Sequence, residues 1–267
     1  MISVTLVVKN GEKYLSECLS ALEAFDEIIL LDNGSEDRTR KIAARYQNVK
    51  IVEHEFIGFG PLKNHAAGQA SNEWILSIDC DEILSPELLS EIKGLDMDAN
   101  CIYRFALKSH FNGKWIKGCG WYPDKKRRLY NKKKTAFNDY LVHESVMVKP
   151  GMQTKDLRGH LFHYPYDGTG ELLSKAQFYA ALYARQYKGK KKSSPMKAII
   201  RGKTAFLKSY ILRKGFLDGY AGFLISTAQG LGAFLKYLML YEANRGEENP
   251  PESPVSSNSG ITRTQGK

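Results

Sequence analysis

Cysteine is scarce and unpatterned in this chain of 267 residues: Cys18, Cys80, Cys101 and Cys119 show no CxxC and no zinc-ligand spacing. That excludes a disulfide framework and a zinc module, and points to free thiols in a reducing compartment. No secretory signal is expected, because the N-terminus runs straight into ISVTLVV without a basic n-region or a small-residue cleavage site. The expectation is a cytoplasmic protein. No internal repeat is visible. A long apolar run is lacking too: residues 219–235 carry no charge, but these 17 residues fall short of the ~20 that cross a bilayer and include Gln229 and four glycines. The segment is expected to dock on the protein or at an interface.

Negative charge thins out after residue 100. Residues 1–100 hold 9 Lys+Arg against 18 Asp+Glu, residues 101–245 hold 28 against 8, and residues 246–267 hold 2 against 3, for a net charge of +10. The basic block implies an anionic partner: nucleic acid, an anionic membrane surface or a phosphorylated substrate. Basic runs stand at 125–128, 132–134 and 188–192. No recognition fold or interleaved stacking motif accompanies them, so nucleic acid is not the expected partner. An apolar content of 43% supplies a globular core.

The first hundred residues alternate strand and helix signals. Residues 2–8 read as a strand, then 11–24 as a helix with Asn10 as N-cap and Tyr14, Leu15, Cys18, Leu19 and Leu22 on one face. Strands follow at 27–31, 49–52 and 74–78, separated by helices at 36–46 and 62–70. This spacing predicts a parallel sheet covered on both faces, with ligands at the carboxyl ends of the strands, where Lys9, Asp32 and Asp79 fall. After a helix at 86–93, irregular aromatic and basic segments offer strands at 101–107, 127–130 and 145–148. Helical periodicity returns at 170–187, 196–212 and 217–241. Beyond Gly246 there is little to bury, and disorder is expected. The expected domains are a catalytic unit at 1–165, a basic, amphipathic helical extension at 166–245 and a disordered tail at 246–267.

Residues 73–82, EWILSIDCDE, read as a buried strand ending in Asp79, Asp81 and Glu82. Strand side chains alternate, so Asp79 and Asp81 should project the same way, and two neighbouring carboxylates repel unless a cation shares them. Magnesium or manganese, bound by protein carboxylates together with substrate phosphates, meets that need and suggests a nucleotide-diphosphate site. The plain alternative is a solvated acidic turn before the helix start at Ser85-Pro86.

Eight segments in order carry a resemblance. VVKNGEKYL, DNGSEDRT, GFGPLKNHAA and SIDCDE resemble the motifs of family 2 glycosyltransferases, which have the GT-A fold, a Rossmann-like, mostly parallel α/β sheet. GKWIKGCGWYPDKKRRLY, FNDYLVHESV, LFHYPY and GFLDGYAGFL resemble the bacterial subgroup containing lipopolysaccharide-core β-1,4-glucosyltransferases. The resemblance spans roughly residues 1–245. It implies inverting transfer of a sugar from a nucleotide donor to an acceptor hydroxyl, with UDP-glucose as the first expectation for the donor.

The resemblance places Asp32 at the nucleoside, Lys63 near the nucleotide, Asp81 as a direct metal ligand, and Asp79 nearer the ribose or a metal-bound water. Asp32 can equally cap the following helix, and Lys63 can be a solvated helix charge. An inverting mechanism needs a carboxylate to take the acceptor proton. Glu144, preceded by His143, is the expected base, with Asp139 and Asp124 as rivals. His163 in LFHYPY fits a histidine that reaches the metal or diphosphate, or else a packed core residue. The forks of Arg127 or Arg128 suit the leaving diphosphate. Trp115, Trp121 and Tyr122 suit a sugar face, and Gly113, Gly118 and Gly120 suggest a mobile flap.

Lys197, Arg201 and Lys208 share a helical face, with Phe206, Leu207, Tyr210 and Ile211 mostly on the other. A basic amphipathic helix of this kind reads as a membrane-surface element. The expectation is therefore a peripheral enzyme on the inner face of the bacterial cytoplasmic membrane, acting on a glycolipid such as lipopolysaccharide core. A sugar nucleotidyltransferase is the enzymatic alternative. The Gly-rich, Arg-containing loop it needs after the first strand is replaced here by KNGEKYL.

Overall fold

The computed structural model describes residues 1–246. The N-terminal half runs β1 (Ile2–Val8), α1 (Glu12–Ser20), β2 (Glu27–Asp32), α2 (Thr39–Ala43), β3 (Val49–Glu53), α3 (Phe59–Gln69) and β4 (Trp74–Asp79). These four strands pair in parallel in the order β3-β2-β1-β4. Their near-continuous apolar sequences follow from burial on both faces. Val4, Leu6, Ile28, Leu30, Leu76 and Ile78 point to one core with Leu15 and Leu19 of α1. Ile29, Leu31 and Ile75 point to the other, against Leu62 and Ala66 of α3. Each fully buried Leu or Ile contributes roughly 1.5–3 kcal/mol, so helices that are weak alone are fixed by packing.

Two helix starts differ from expectation. Asn10 is not the cap of α1: Gly11 holds that position, while Asn10 has φ 54° and its Oδ1 accepts from Glu36 N. α2 begins three residues later than expected because Asp37 bonds Thr39 N through Oδ1 and Glu12 N through Oδ2, which keeps the loop before it extended over α1.

The second half contributes β5 (Glu82–Leu84), α4 (Pro86–Lys93), β6 (Cys101–Phe111), β7 (Lys114–Trp115), β8 (Asp124–Asn131) and β9 (Gln153–His163). Ser85 caps α4 through Leu88 N, with Pro86 in its first turn. β8 pairs antiparallel to β4 and to β6, β9 parallel to β6, and β5 antiparallel to β9. The sheet is thus parallel on one side of β4 and mixed on the other. The strand expected at 145–148 does not form; that segment makes a single bridge, Phe137 to Val146, and Arg127 Nη1 takes the Val146 carbonyl at 2.7 Å. β9, by contrast, had no sequence signal. Its inward positions are Leu157, Gly159 and Leu161, and the glycine breaks the apolar alternation because a Cβ there would collide with the Leu88 backbone of α4.

α5 (Thr169–Tyr187), α6 (Pro195–Leu207), a π-helical turn (Lys208–Leu212), a 3-10 turn (Gly215–Asp218) and α7 (Gly219–Arg245) complete the described chain. They close onto the sheet. Ile225 and Ala228 of α7 pack with Phe111, Ile116 and Cys119, and Leu240 and Ala243 pack with Val142 and Leu182. The expected flap is instead pinned: a Cβ at Gly118 would lie 2.6 Å from Lys214 O and one at Gly120 2.5 Å from the Arg213 guanidinium, while Asn112-Gly113 form the tight turn between β6 and β7. All four cysteines are free. The tail expected to be disordered lies, from residue 247 on, outside the described residues.

Candidate active site

Asp32 and Asp79 end adjacent parts of one sheet edge, in register with Val8 and Val7 of β1. Beside Asp79, α3 enters the site through Gly58-Phe59-Gly60, and its first turn is stitched to the segment carrying Glu144. Phe59 N donates to Leu141 O at 3.2 Å and Gly60 N to Tyr140 O at 3.0 Å. Asn64 completes the seam, accepting from Phe137 N at 2.9 Å and donating to Phe137 O at 3.0 Å. Only glycine fits at 60, where a Cβ would run into the Asn138 carbonyl. On the far side Gln186 of α5 accepts from Leu141 N at 2.8 Å. Two helices, α3 and α5, thereby hold one loop against the strand edge.

Lys63 is the product of that seam. It is 3% exposed, which rules out a solvated helix charge, and its ammonium lies 2.7 Å from Glu144 Oε1 and 3.1 Å from Asp79 Oδ1. Burial works against its charge, but Asp79 and Glu144 outweigh that and raise its pKa. Burial likewise pushes the Glu144 carboxyl up, and Lys63 overrides it, holding Glu144 below the ordinary carboxylate range. Asp79 is lowered in the same manner, by Lys63 and by Arg128, whose Nη2 stands 2.9 Å from Asp79 Oδ2. The two carboxylate oxygens of Asp79 therefore each face a protein cation. The charge of Asp79, for which the sequence predicts a cation shared with Asp81, is thus offset by two cations of the protein.

Arg128 also binds Glu82, at 2.5 Å, and Glu82 Oε2 accepts from Asp79 N at 2.9 Å. Glu82 is buried, which pushes its carboxyl up; Arg128 opposes this, and the charges of Asp79 and Asp81 add to it. Next along the chain, Asp81 faces His163 across the β5–β9 pair. His163 Nε2 is 3.7 Å from Asp81 Oδ2, its Nδ1 is 3.0 Å from Ser109 Oγ, and Tyr164 N donates to Asp81 O at 2.9 Å. Burial lowers the His163 pKa against the pull of Asp81 and Asp79, so the ring is neutral at pH 7 with a lone pair available.

The remaining expected residues are placed as follows. Asp32 stands on the same edge as Asp79, buried at the end of β2; it does not cap α2, whose cap is Arg38, but accepts from Ser35 N at 3.1 Å, while its Oδ2 lies 3.4 Å from Arg40 Nε and makes no hydrogen bond among the described residues. Arg127 holds the Val146 carbonyl and is turned from the carboxylates. Asp139 is exposed on the loop. Asp124 pairs with Lys126 at 2.9 Å, four residues from Arg128 along β8 and hence roughly 13 Å away. Trp115 packs on His110, Phe162 and Tyr164, and Trp121 on Phe111 and Tyr166, leaving Tyr122, 46% exposed, as the open ring of the three.

Two residues of the site had no sequence signal as functional groups: Ser109 comes in through pairing of β6 with β9, and Lys175 through α5. Glu82, which stands with Asp79 and Asp81 in the sequence, carries no role of its own there and is brought to the edge by pairing with β9. Lys175 donates to Pro165 O at 2.7 Å and pairs with Glu171 at 2.9 Å, and Asp81 raises its pKa against burial.

Among the described residues no three His, Cys, Asp or Glu side chains gather as a complete metal cage. Asp81 and His163 nevertheless fit an open site for magnesium or manganese: one anionic oxygen and one neutral imidazole nitrogen, the latter oriented by Ser109, leaving positions for phosphate oxygens and water. The charge balance points the same way. Asp79, Asp81, Glu82 and Glu144 face three cations, Lys63, Arg128 and Lys175, so the edge is close to balanced and holds no surplus of protein cations for a diphosphate.

The family model for Glycosyl transferase family 2 matches residues 3–147, and the chain belongs to that family, with a GT-A-like α/β fold. It is 29% identical over 261 residues to an uncharacterized glycosyltransferase of Rickettsia typhi, covering 93% of this chain and 89% of that one. It is 26% identical over 263 residues to the lipopolysaccharide core biosynthesis glycosyltransferase LpsC of Rhizobium meliloti, covering 93% and 95%. Among solved structures it is similar to S. aureus TarS 1-349 in complex with UDP-GlcNAc, at 17% identity, a TM-score of 0.49 and 92% coverage of each chain.

Proposed function

We propose that this chain is an inverting, metal-assisted hexosyltransferase that moves a sugar from a UDP-linked donor, with glucose as the best reading, to a hydroxyl of a glycolipid acceptor of the lipopolysaccharide-core class. The observation that carries the reading is the Glu144–Lys63–Asp79 chain of contacts beside the Asp81–His163 pair: a fixed carboxylate next to a donor set for a divalent cation. The similarity to LpsC over nearly all of both chains supports the acceptor class. Work at the cytoplasmic face of the membrane is consistent with free cysteines and with a basic, apolar helical hairpin.

In this reading Lys63 keeps Glu144 ionised and aimed, and Glu144 takes the proton of the acceptor hydroxyl as that oxygen attacks the anomeric carbon on the side opposite the departing diphosphate. Asp81 and His163 would hold magnesium or manganese, which when bound offsets diphosphate charge. Asp79, held from both sides, borders the nucleotide with Lys63. Arg128 fixes Asp79 and Glu82 and so shapes the edge instead of gripping phosphate directly. A diphosphate meeting this edge finds no surplus of protein cations, so a divalent cation would supply the missing positive charge.

The test is Asp81→Asn, which removes one ligand charge from a partly exposed side chain outside the core. With manganese and a nucleotide-sugar panel, wild type should show a thermal shift with the true donor, a ligand at 100 times its Kd adding roughly 2.7 kcal/mol. The variant should keep its apo melting point and lose the manganese-dependent shift and turnover. Full activity of the variant, or of wild type in excess EDTA, would take the metal out of the mechanism.

A further inference from the structure

Between Glu171 and Asp218 the chain carries twelve Lys or Arg and no Asp or Glu. Over the same span it leaves apolar side chains uncovered. Met196, Ile200 and Leu207 of α6 and Ile211 in the π-helical turn are exposed at spacings of four and seven, one and two turns, and so line one side of the helix, with exposed Ile199 beside them. Phe216, Tyr220, Phe223 and Leu231 form a second exposed stripe leading into and along the start of α7. The two stripes border a groove of about 670 Å³ lined by Ile199, Phe206, Leu207, Phe223, Leu231 and Phe234.

Gly202 and Gly230 set the floor of the groove. They let the helices approach so closely that a Cβ at 202 would lie 3.0 Å from Phe234 Cβ and one at 230 3.1 Å from Phe206 Cβ. The volume is that of a ligand site, but the polar groups that orient an ordinary ligand are few. Among the described residues lining it, only Lys203 and Thr227 carry polar side chains, and Thr227 Oγ1 is spent on Phe223 O at 2.9 Å. Lys203, Lys208, Arg213 and Lys214 are exposed on and beyond the same hairpin.

A soluble anionic ligand would use the charges and leave the apolar stripes idle. A second copy of the chain would bring one acid-free basic span against another across a two-fold axis. A bilayer of anionic phospholipid satisfies both features, hydrocarbon for the stripes and phosphate for the cations. The helical stretch Gly215–Arg245 is long and apolar enough to cross a membrane, but its contacts with the protein favour a docked helix: Gln229 Nε2 donates to Cys119 O at 3.1 Å and Cys119 Sγ to Gly222 O at 3.4 Å.

We propose that α6 and the start of α7 form a monotopic lipid site, in which the groove takes acyl chains of an anionic phospholipid bilayer while Lys203, Lys208, Arg213 and Lys214 lie among the headgroup phosphates. This deepens the membrane part of the functional reading and is independent of the donor site. It is tested by co-sedimentation of the full chain with phosphatidylcholine vesicles, with and without roughly 30% phosphatidylglycerol. Wild type should bind the anionic vesicles at least ~10-fold more tightly than the neutral ones, and Leu207→Ser with Phe223→Ser should weaken that binding at least ~10-fold without a change in charge. Lys203→Gln with Lys208→Gln should weaken it and reduce its salt dependence. If the first pair lowers the melting point, Ile211→Ser with Leu212→Ser, at side chains 54% and 76% exposed, makes the same test.

Anionic-vesicle binding unchanged in both serine pairs would overturn the lipid site. So would a wild type that binds no vesicle and forms a dimer that the serine variants dissolve, which would assign the face to a second copy. Vesicle binding together with an absence of nucleotide-sugar turnover would overturn the catalytic reading and support the lipid site.

Discussion

Lys63 is the residue on which the site turns, because one ammonium serves two carboxylates and is buried with them. Removing it in Lys63→Met leaves Glu144 unpaired and Asp79 with Arg128 alone, and breaking a buried pair from one side costs about 3 kcal/mol or more. Chemical denaturation should show that loss with an unchanged denaturant slope; a variant as stable as wild type would mean the pair is worth nothing. The pH dependence follows from the direction of the Glu144 shift. Its folded pKa lies below the ordinary value of 4.5, so the stability it adds is fully present above that value and lost as pH falls through the folded pKa. The melting-point gap between wild type and Glu144→Gln should be constant near neutrality and close in acid; a gap that widens in acid would show the shift to be upward. Of these residues, the sequence motifs pointed to Glu144, Asp79, Asp81 and His163, since carboxylates and histidine announce chemistry by type. They could not distinguish a buried Lys63 from a solvated one, because burial depends on what the rest of the chain lays over a side chain.

At the scale of elements, the parallel half was legible, and in the mixed half β6, β8 and α4 were expected but β9 was not. β1, β2 and β4 carry apolar runs that only a doubly covered strand tolerates, and α4 carries its Ser85-Pro86 start signal. β9 was hidden by Gly159, whose missing side chain makes room for the backbone of α4 and so removes the hydrophobe that would have marked the strand. That loss matters for the site, since β9 sets His163 opposite Glu82 and in hydrogen-bonding register with Ser109. Strand expectation at 145–148 failed for the converse reason: apolar Val146 is buried by a loop that Arg127 and Asn64 hold, not by a ladder. The same loop yields a prediction for Gly60. Gly60→Ala should force the Asn138 carbonyl away, cost roughly 1–3 kcal/mol, and lower turnover more than donor affinity, because the displaced segment carries Glu144 and not the Asp81–His163 pair. Equal losses in both would place the segment in donor binding.

For the whole molecule, the charge division in the sequence becomes a division of labour. The acidic N-terminal hundred residues build an edge whose carboxylates outnumber its cations, and the basic C-terminal helices build a hairpin with apolar flanks. α5 joins the two, taking Leu141 N through Gln186 while packing along α7, so the hairpin and the base-bearing loop share one support. The central claim is that Glu144 is the base, and the most direct measurement of it is the kinetics of Glu144→Gln beside Asp139→Asn with the donor selected by thermal shift. The account predicts that Glu144→Gln keeps near-wild-type donor affinity and loses at least ~100-fold in turnover, the scale of a general base, while Asp139→Asn, at an exposed loop position, stays active. Full turnover by Glu144→Gln, with the loss falling on Asp139→Asn instead, would contradict it.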